Sequence, residues 1–378
     1  GEDTTNINLY VNQSGYDTED SKRATITNVE DGTEFQVKAK ADDSLVYTGA
    51  TENWIADFSD FQPEEKSDYY LECKGKKSYD FTIARNWMQH VSVKPALDFM
   101  EQSRSDAWEY GKKGIGWRDG HQFSFELPSL VLQYMANPSY YDQMEQNVYR
   151  INETEYENLR TQNEPDIIWL MKFGAERYYD WHVNEGRALH GLIKEQLAYF
   201  LYLYPEISAY VTEEDYERIR DMTIEVWEDP TAPAAEKDMW WNIQGEKHNL
   251  LEVQDVVGEI KGGYPPAHSI VPNLMMYEIV RRDGLGDGEK YFQAAYDNCV
   301  YVLEHFNITD TRYSKGQRMS EHVVMENLAY FQEMYPERAP GNLKSEIARW
   351  ASVMTARSDN QWDMRMAASA AAGDSSDY

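Results

Sequence analysis

The period of the apolar residues changes once along this chain, near residue 90, and that change limits the folds open to it. Residues 6–84 carry short runs with partial two-residue alternation, at 7–11, 24–26, 34–38, 44–47, 69–73 and 79–83. Turn clusters such as Glu30-Asp31-Gly32 and Lys74-Gly75-Lys76-Lys77 separate them. Alternation marks strands with one buried face, and this spacing predicts a small antiparallel sandwich. From about residue 91 the pattern fits a 3.6-residue repeat instead, over 127–135, 167–181, 188–203, 216–227, 270–280, 291–305, 322–334 and 343–354. Asp283-Gly284 and Pro336 stop two of these helices. No strand-sized run alternates with them, so a βα architecture is not expected. The expected organisation is multidomain β + α: a β module over residues 1–85 and a helical domain over 86–378, joined near 84–90.

Charge narrows the partners. The 66 carboxylates against 36 Lys plus Arg give a formal charge of −30. Nucleic acid and anionic membrane surfaces repel such a chain, and a polyanionic polysaccharide is disfavoured as substrate. A neutral oligo- or polysaccharide fits better, and 28 Tyr, 11 Trp and 12 Phe supply rings for it as well as for a core. Cys73 and Cys299 fall in different domains, so there is no disulfide framework and no cysteine zinc motif. No apolar run reaches the ~18 residues that insertion into a bilayer needs. The opening Gly1-Glu2-Asp3-Thr4-Thr5 has no signal-peptide character and reads as a mature N-terminus, which makes an extracytoplasmic setting the expectation.

Residues 114–128 concentrate the reactive groups. Glycines at 114, 116 and 120 permit a tight irregular backbone around Trp117, Arg118, Asp119, His121 and Gln122, just ahead of a helix. Asp119 is the candidate base or water-orienting group, against a plain backbone cap. His121 could orient it, bind a hydroxyl or act as a base near neutral pH, against a half-buried structural histidine. Arg118 suits a hydroxyl pair and Trp117 a pyranose face. Two long irregular segments, 140–163 and 228–264, interrupt the helices, and loops of that length are often functional. The second carries Trp240, Trp241 and Tyr264, candidate walls of a sugar subsite, with His248 and His268 at its flank. Those histidines lack acidic or cysteine neighbours at metal spacing. Glu164 and Asp166 suit a helix N-terminus. No cofactor is required. No D-x-D-x-D-G loop occurs, so a structural calcium ion has no ligand set to name.

The phrase Tyr10-Val11-Asn12-Gln13-Ser14-Gly15-Tyr16, followed by Lys22-Arg23-Ala24-Thr25-Ile26, resembles the start of the immunoglobulin-like module that precedes many cellulase-type catalytic domains. Gly116-Trp117-Arg118-Asp119-Gly120 through Phe125-Glu126-Leu127-Pro128 resembles the G-W-x-D-A-G-D…F-x-L-P segment of family 9 glycoside hydrolases. Pro165-Asp166-Ile167-Ile168-Trp169-Leu170-Met171 resembles their P-D-I-L-D-E helix. The resemblance implies an Ig-like β-sandwich followed by an (α/α)6 toroid, and inverting hydrolysis of a neutral β-glucan or related polymer. In that family two aspartates of the D-A-G-D turn handle the attacking water. Here residues 117–121 are one residue shorter, with Asp119 alone and His121 nearest the second position. Residues 86–378 are too few for twelve comfortable helices, and no match to the family's acid glutamate is found, so a C-terminal part of the toroid is expected to be missing. The alternative reading is a non-catalytic glycan-binding or surface protein derived from the family. A helical-toroid polysaccharide lyase would want a basic cluster for uronates.

Overall fold

A computed structural model describes residues 1–105, 126–144, 159–161, 163–189, 191–232, 247–254, 267–306 and 321–359. It forms two compact units, residues 1–102 and 103–378.

The first unit holds nine strands: β1 (Leu9–Tyr10), β2 (Tyr16–Asp17), β3 (Arg23–Ile26), β4 (Glu34–Ala39), β5 (Leu45–Ala50), β6 (Ile55–Asp57), β7 (Ser67–Cys73), β8 (Lys76–Lys77) and β9 (Phe81–Ala84). One sheet has the order β1-β3-β6, the other β2-β9-β7-β4-β5 with β8 on β7. Alternation selects the inner faces: in β3, Ala24 and Ile26 are buried and Arg23 and Thr25 exposed. They meet Phe35, Val37, Phe58, Leu71, Cys73, Phe81 and Ile83 in a single core. One pairing departs from the expected antiparallel sandwich, since β2 runs parallel to β9, with Tyr16 beside Ile83. The two strands are far apart in sequence, so no hairpin forces them to be antiparallel.

The Tyr10–Tyr16 phrase now has a physical reading. Asn12 Oδ1 accepts from Ser14 N (3.0 Å) and Asn12 O from Gly15 N (2.9 Å), which closes the turn. Gly15 has φ +104°, and a Cβ there would overlap the Trp87 indole, whose Nε1 donates to Ser14 O. Tyr16 drops into the core edge-on to Phe58 and Phe81, and its hydroxyl donates to Arg23 O at 2.8 Å. Helix α1 (Trp87–Ser105) follows β9 directly.

Nine further helices lie among the described residues: α2 (Glu126–Ala136), α3 (Pro138–Gln143), α4 (Asp166–Val183), α5 (Gly191–Ile207), α6 (Glu213–Trp227), α7 (Ile270–Arg282), α8 (Glu289–His305), α9 (Glu321–Met334) and α10 (Leu343–Asp359). Every helical period read from the sequence is realised. Tyr140 and Tyr141 correct the expected loop, because Pro138 at the first turn starts the short α3 and both rings are buried. Each of α4/α5, α5/α6, α7/α8 and α9/α10 is joined by a short connection and packs as neighbours. Helices α2, α5, α7 and α9 also pack side by side in that order.

Those four helices run the same way. His268, just ahead of α7, bonds Glu195 in the first turns of α5, while Arg282 at the far end of α7 donates to Leu201 O and Tyr202 O. Val271 N, in the first turn of α7, donates to Asn327 Oδ1 midway along α9, and Tyr335 beyond the end of α9 donates to Glu278 Oε1, late in α7. Tyr134, late in α2, is pushed up to about 12 by burial, then by the Asp142 carboxylate, with smaller contributions from Tyr210 and Glu206 at the late end of α5. A row of parallel helices, each returned by a partner, is the repeating plan of an α/α toroid. Its consequence is that residues 106–125 and 255–266 lead into helices whose first turns share one end.

Candidate functional site

That end carries the buried Lys194, Glu195 and His268. The run Leu192-Ile193-Lys194-Glu195-Gln196-Leu197 opens α5, and all six residues are buried. Apolar neighbours on both sides force Lys194 and Glu195 inward, where each must be matched. Lys194 Nζ donates to Asp229 O (2.8 Å) and His248 O (2.7 Å), and its positive charge helps hold the Asp229 carboxyl low. Burial would raise Asp229, but the Thr231 amide and hydroxyl and the Lys194 ammonium outweigh it. One ammonium thus ties residues on either side of the 233–246 segment.

Residues 247–254 are pinned from below. Leu250 N donates to Trp227 O at 3.1 Å. Asn273 Nδ2 donates to Leu250 O (2.8 Å) while its Oδ1 accepts from Trp227 Nε1 (2.9 Å). Asn298 Oδ1 accepts from Gln254 N at 2.5 Å. These two asparagines are fully buried, so their hydrogen bonds fix the strap against α7 and α8 without competition from water.

Glu195 and His268 form the other buried pair, Oε1 to Nδ1 at 2.5 Å, both side chains under 8 % exposed. Burial pushes the Glu195 carboxyl up, and the His268 imidazole works against that. His248 belongs to the strap and is buried. Burial and then the Lys194 ammonium push its imidazole down to about 4, so it is neutral through the physiological range.

The sequence-named residues divide accordingly. Trp117, Arg118, Asp119, His121, Gln122, Trp240, Trp241 and Tyr264 lie outside the described residues. His268 stands at the shared helix end, bonded to Glu195. His248 is 5 % exposed and sits in the interior. Glu164 and Asp166 are taken up at the other end of α5: Glu164 accepts from Lys172 Nζ (2.8 Å) and Asp166, in the first turn of α4, from Arg160 (2.5 Å). Sequence reasoning passed over Lys194, Glu195, Asn273 and Asn298. The available signal was charge at positions where the helical period demands core. Among the described residues no group of three His, Cys, Asp or Glu side chains is placed to hold a metal ion. Nor is any helix there long and apolar enough to cross a membrane.

Comparison with known proteins follows this division. Residues 4–78 match the cellulase N-terminal ig-like domain. No curated protein matches the chain in sequence. Among solved structures, a metagenome-derived glycoside hydrolase family 9 endoglucanase superposes with a TM-score of 0.50 at 12% identity, over 91% of this chain and 71% of that one. A single mutant of a thermostable endoglucanase from Alicyclobacillus acidocaldarius gives 0.47 at 11% identity, over 90% and 68%. A Bacteroides ovatus GH9 structure gives 0.44 at 13%, over 86% and 72%. At such identity the first of these speaks for the fold alone. The chain thus carries a cellulase N-terminal ig-like domain over residues 4–78, followed by a helical region whose fold is that seen in a family 9 endoglucanase.

Proposed function

We propose that this protein hydrolyses a neutral β-glucan or related oligo- or polysaccharide with inversion at the anomeric carbon, in an extracytoplasmic setting. The observation that carries the reading is the pairing of a cellulase-type module with a helical region of family 9 fold. The helix directions support its location, because residues 106–125 and 255–266 lead to the same helix end. Asp119 serves as the base or water-orienting carboxylate, with His121 beside it. Trp117, Arg118 and Gln122, with Trp240, Trp241, Tyr264 and His268, supply sugar contacts. An inverting site needs a carboxylate base and a carboxylic acid about 6.5–9.5 Å apart, with one water between base and sugar. A polymeric glucan cannot cross a membrane intact, hence the setting.

Asp119→Asn is the test. It keeps shape and hydrogen-bonding capacity and removes basicity. Turnover on soluble β-glucans should fall by ~10²-fold or more, while oligosaccharide binding by calorimetry stays near wild type. Proton NMR of the first product should show the inverted anomer. One observation favours a second reading, a glycan-binding protein without turnover: residues 117–121 offer one aspartate where the family resemblance implies two. Wild-type protein that binds glycan and never cleaves it would establish that reading and overturn the first.

A further inference from the structure

The three-stranded sheet of the β module presents a row of side chains to solvent. Tyr10 on β1 stands opposite Thr25 on β3, and Thr25 stands opposite Ile55 on β6. Residues paired in this way share one face of a sheet. Ala24, Ile26 and Ala56, which alternate with them, belong to the core, so this row looks outward, with Tyr10 60 % and Ile55 40 % exposed. The next row on the same face is the ion pair of Arg23 Nε with Asp57 Oδ2, 3.3 Å apart and with side chains 64 % and 47 % exposed.

Trp54 leads into β6. Asn53 and Trp54 both have positive φ, +51° and +65°, in a two-residue turn closed by Ile55 N donating to Glu52 O at 2.9 Å. Glycine fills the second of these positions with least strain, yet a tryptophan stands there. The backbone holds it in place: Ile26 N donates to Trp54 O (2.8 Å) and Asn53 N to Asp31 Oδ1 (2.8 Å). The Trp54 ring takes no part in the core, is 44 % exposed, and has no hydrogen bond or ring partner among the described residues. A strained, exposed ring that the fold does not use suits a role outside the fold.

We propose that this outer face is a glycan site belonging to the β module itself, where Tyr10 and Trp54 carry the sugar rings of a neutral polymeric glucan. Arg23 and Asp57 balance each other, so the face draws neither an anion nor a cation. A protein partner closing over it would bury that ion pair and the Thr25 hydroxyl without new partners, which is costly. A pyranose lays its C–H face on an aromatic ring and turns its hydroxyls outward to such groups. Strands β1 and β6, two and three residues long, are too short to take an added peptide strand. The site shares its ligand class with the hydrolase reading above and uses none of that reading's residues.

The test uses the full chain carrying Asp119→Asn, so that bound polymer is not consumed, with depletion onto amorphous cellulose and affinity electrophoresis in a soluble mixed-linkage β-glucan. Tyr10→Ala and Trp54→Ala should each weaken binding about fivefold or more, and the double variant should weaken it further. Tyr10→Phe keeps the ring and should keep the affinity. Trp54→Gly should lose affinity while melting no lower than its parent, because glycine relieves the turn. Unchanged binding in the folded double variant overturns the proposal, as does a loss that only tracks the unfolded fraction. Binding to neither glucan by the parent overturns it as well. Wild-type protein that cleaves soluble β-glucan, with a double variant that binds like its parent, removes this proposal alone. Binding that depends on Tyr10 and Trp54 in a wild-type chain that never cleaves supports it and overturns the hydrolase reading alone.

Discussion

Among the described residues, Lys22, Lys172 and Lys194 are withdrawn from solvent, and each gathers backbone carbonyls. Lys22 Nζ reaches Asp17 O, Thr18 O and Asp20 O; Lys172 Nζ reaches Leu159 O and Tyr210 O as well as Glu164. An ammonium has three donors and a compact charge, which suits points where several chain segments converge. Lys194 follows the same rule and imposes a condition on its neighbour. His248 is buried next to that positive charge and refuses a proton until about pH 4, whereas in the unfolded chain it takes one near 6.5. Between those values the unfolded state binds more protons, so stability falls as pH falls through the window. The loss amounts to about 3 kcal/mol at its lower end. Replacing His248 by Phe should therefore flatten the pH dependence of chemical denaturation between pH 6.5 and 4 relative to wild type. Parallel curves for the two proteins would show that His248 does not titrate in this way.

At the scale of elements, the helices were legible because their apolar residues keep one period for three or more turns. Strands β4 and β7 were legible for the same reason, with alternating or largely apolar runs of six and seven residues. Strand β6 was not, since Ile55-Ala56-Asp57 buries only Ala56, and neither was β2, whose partner lies across the whole module. The polar strap 247–254 was invisible because its anchors, Asn273 and Asn298, read as ordinary helix residues. Their distance from the strap in sequence hides a contact that only tertiary packing creates. Asn273→Ala would leave the Trp227 indole NH and Leu250 O unpaired in a dry interior, since Asn273 joins both. The expected cost is about 2–4 kcal/mol, one to two buried polar groups left unsatisfied. Urea denaturation reads it directly, and a change under 1 kcal/mol would mean that the strap finds other partners.

For the whole molecule, the order of a β module and then paired helices follows from the change of period near residue 90. The residues that would carry the chemistry do not. Residues 114–128 draw attention by their glycines and clustered polar groups, but the direction of α2, α5, α7 and α9 comes from contacts between distant positions. Only that direction brings the start of α2 and the start of α7 to one end. Lys194 adds something of a different kind. By holding Asp229 O and His248 O on one atom, it seals the two ends between which residues 233–246 run in sequence. Ends held in this way stay together when the sequence between them is changed. Closing a longer flexible loop costs only about 0.6 kcal/mol per doubling of length. A chimaera that replaces residues 233–246 by an unrelated polar segment of twice the length should thus keep its melting temperature within a few degrees while losing glycan affinity. The same exchange in a Lys194→Met background should lower the melting temperature far more than the sum of the two changes made singly. Lys194 is in this sense a clasp: one side chain closes the frame around residues 233–246 from within.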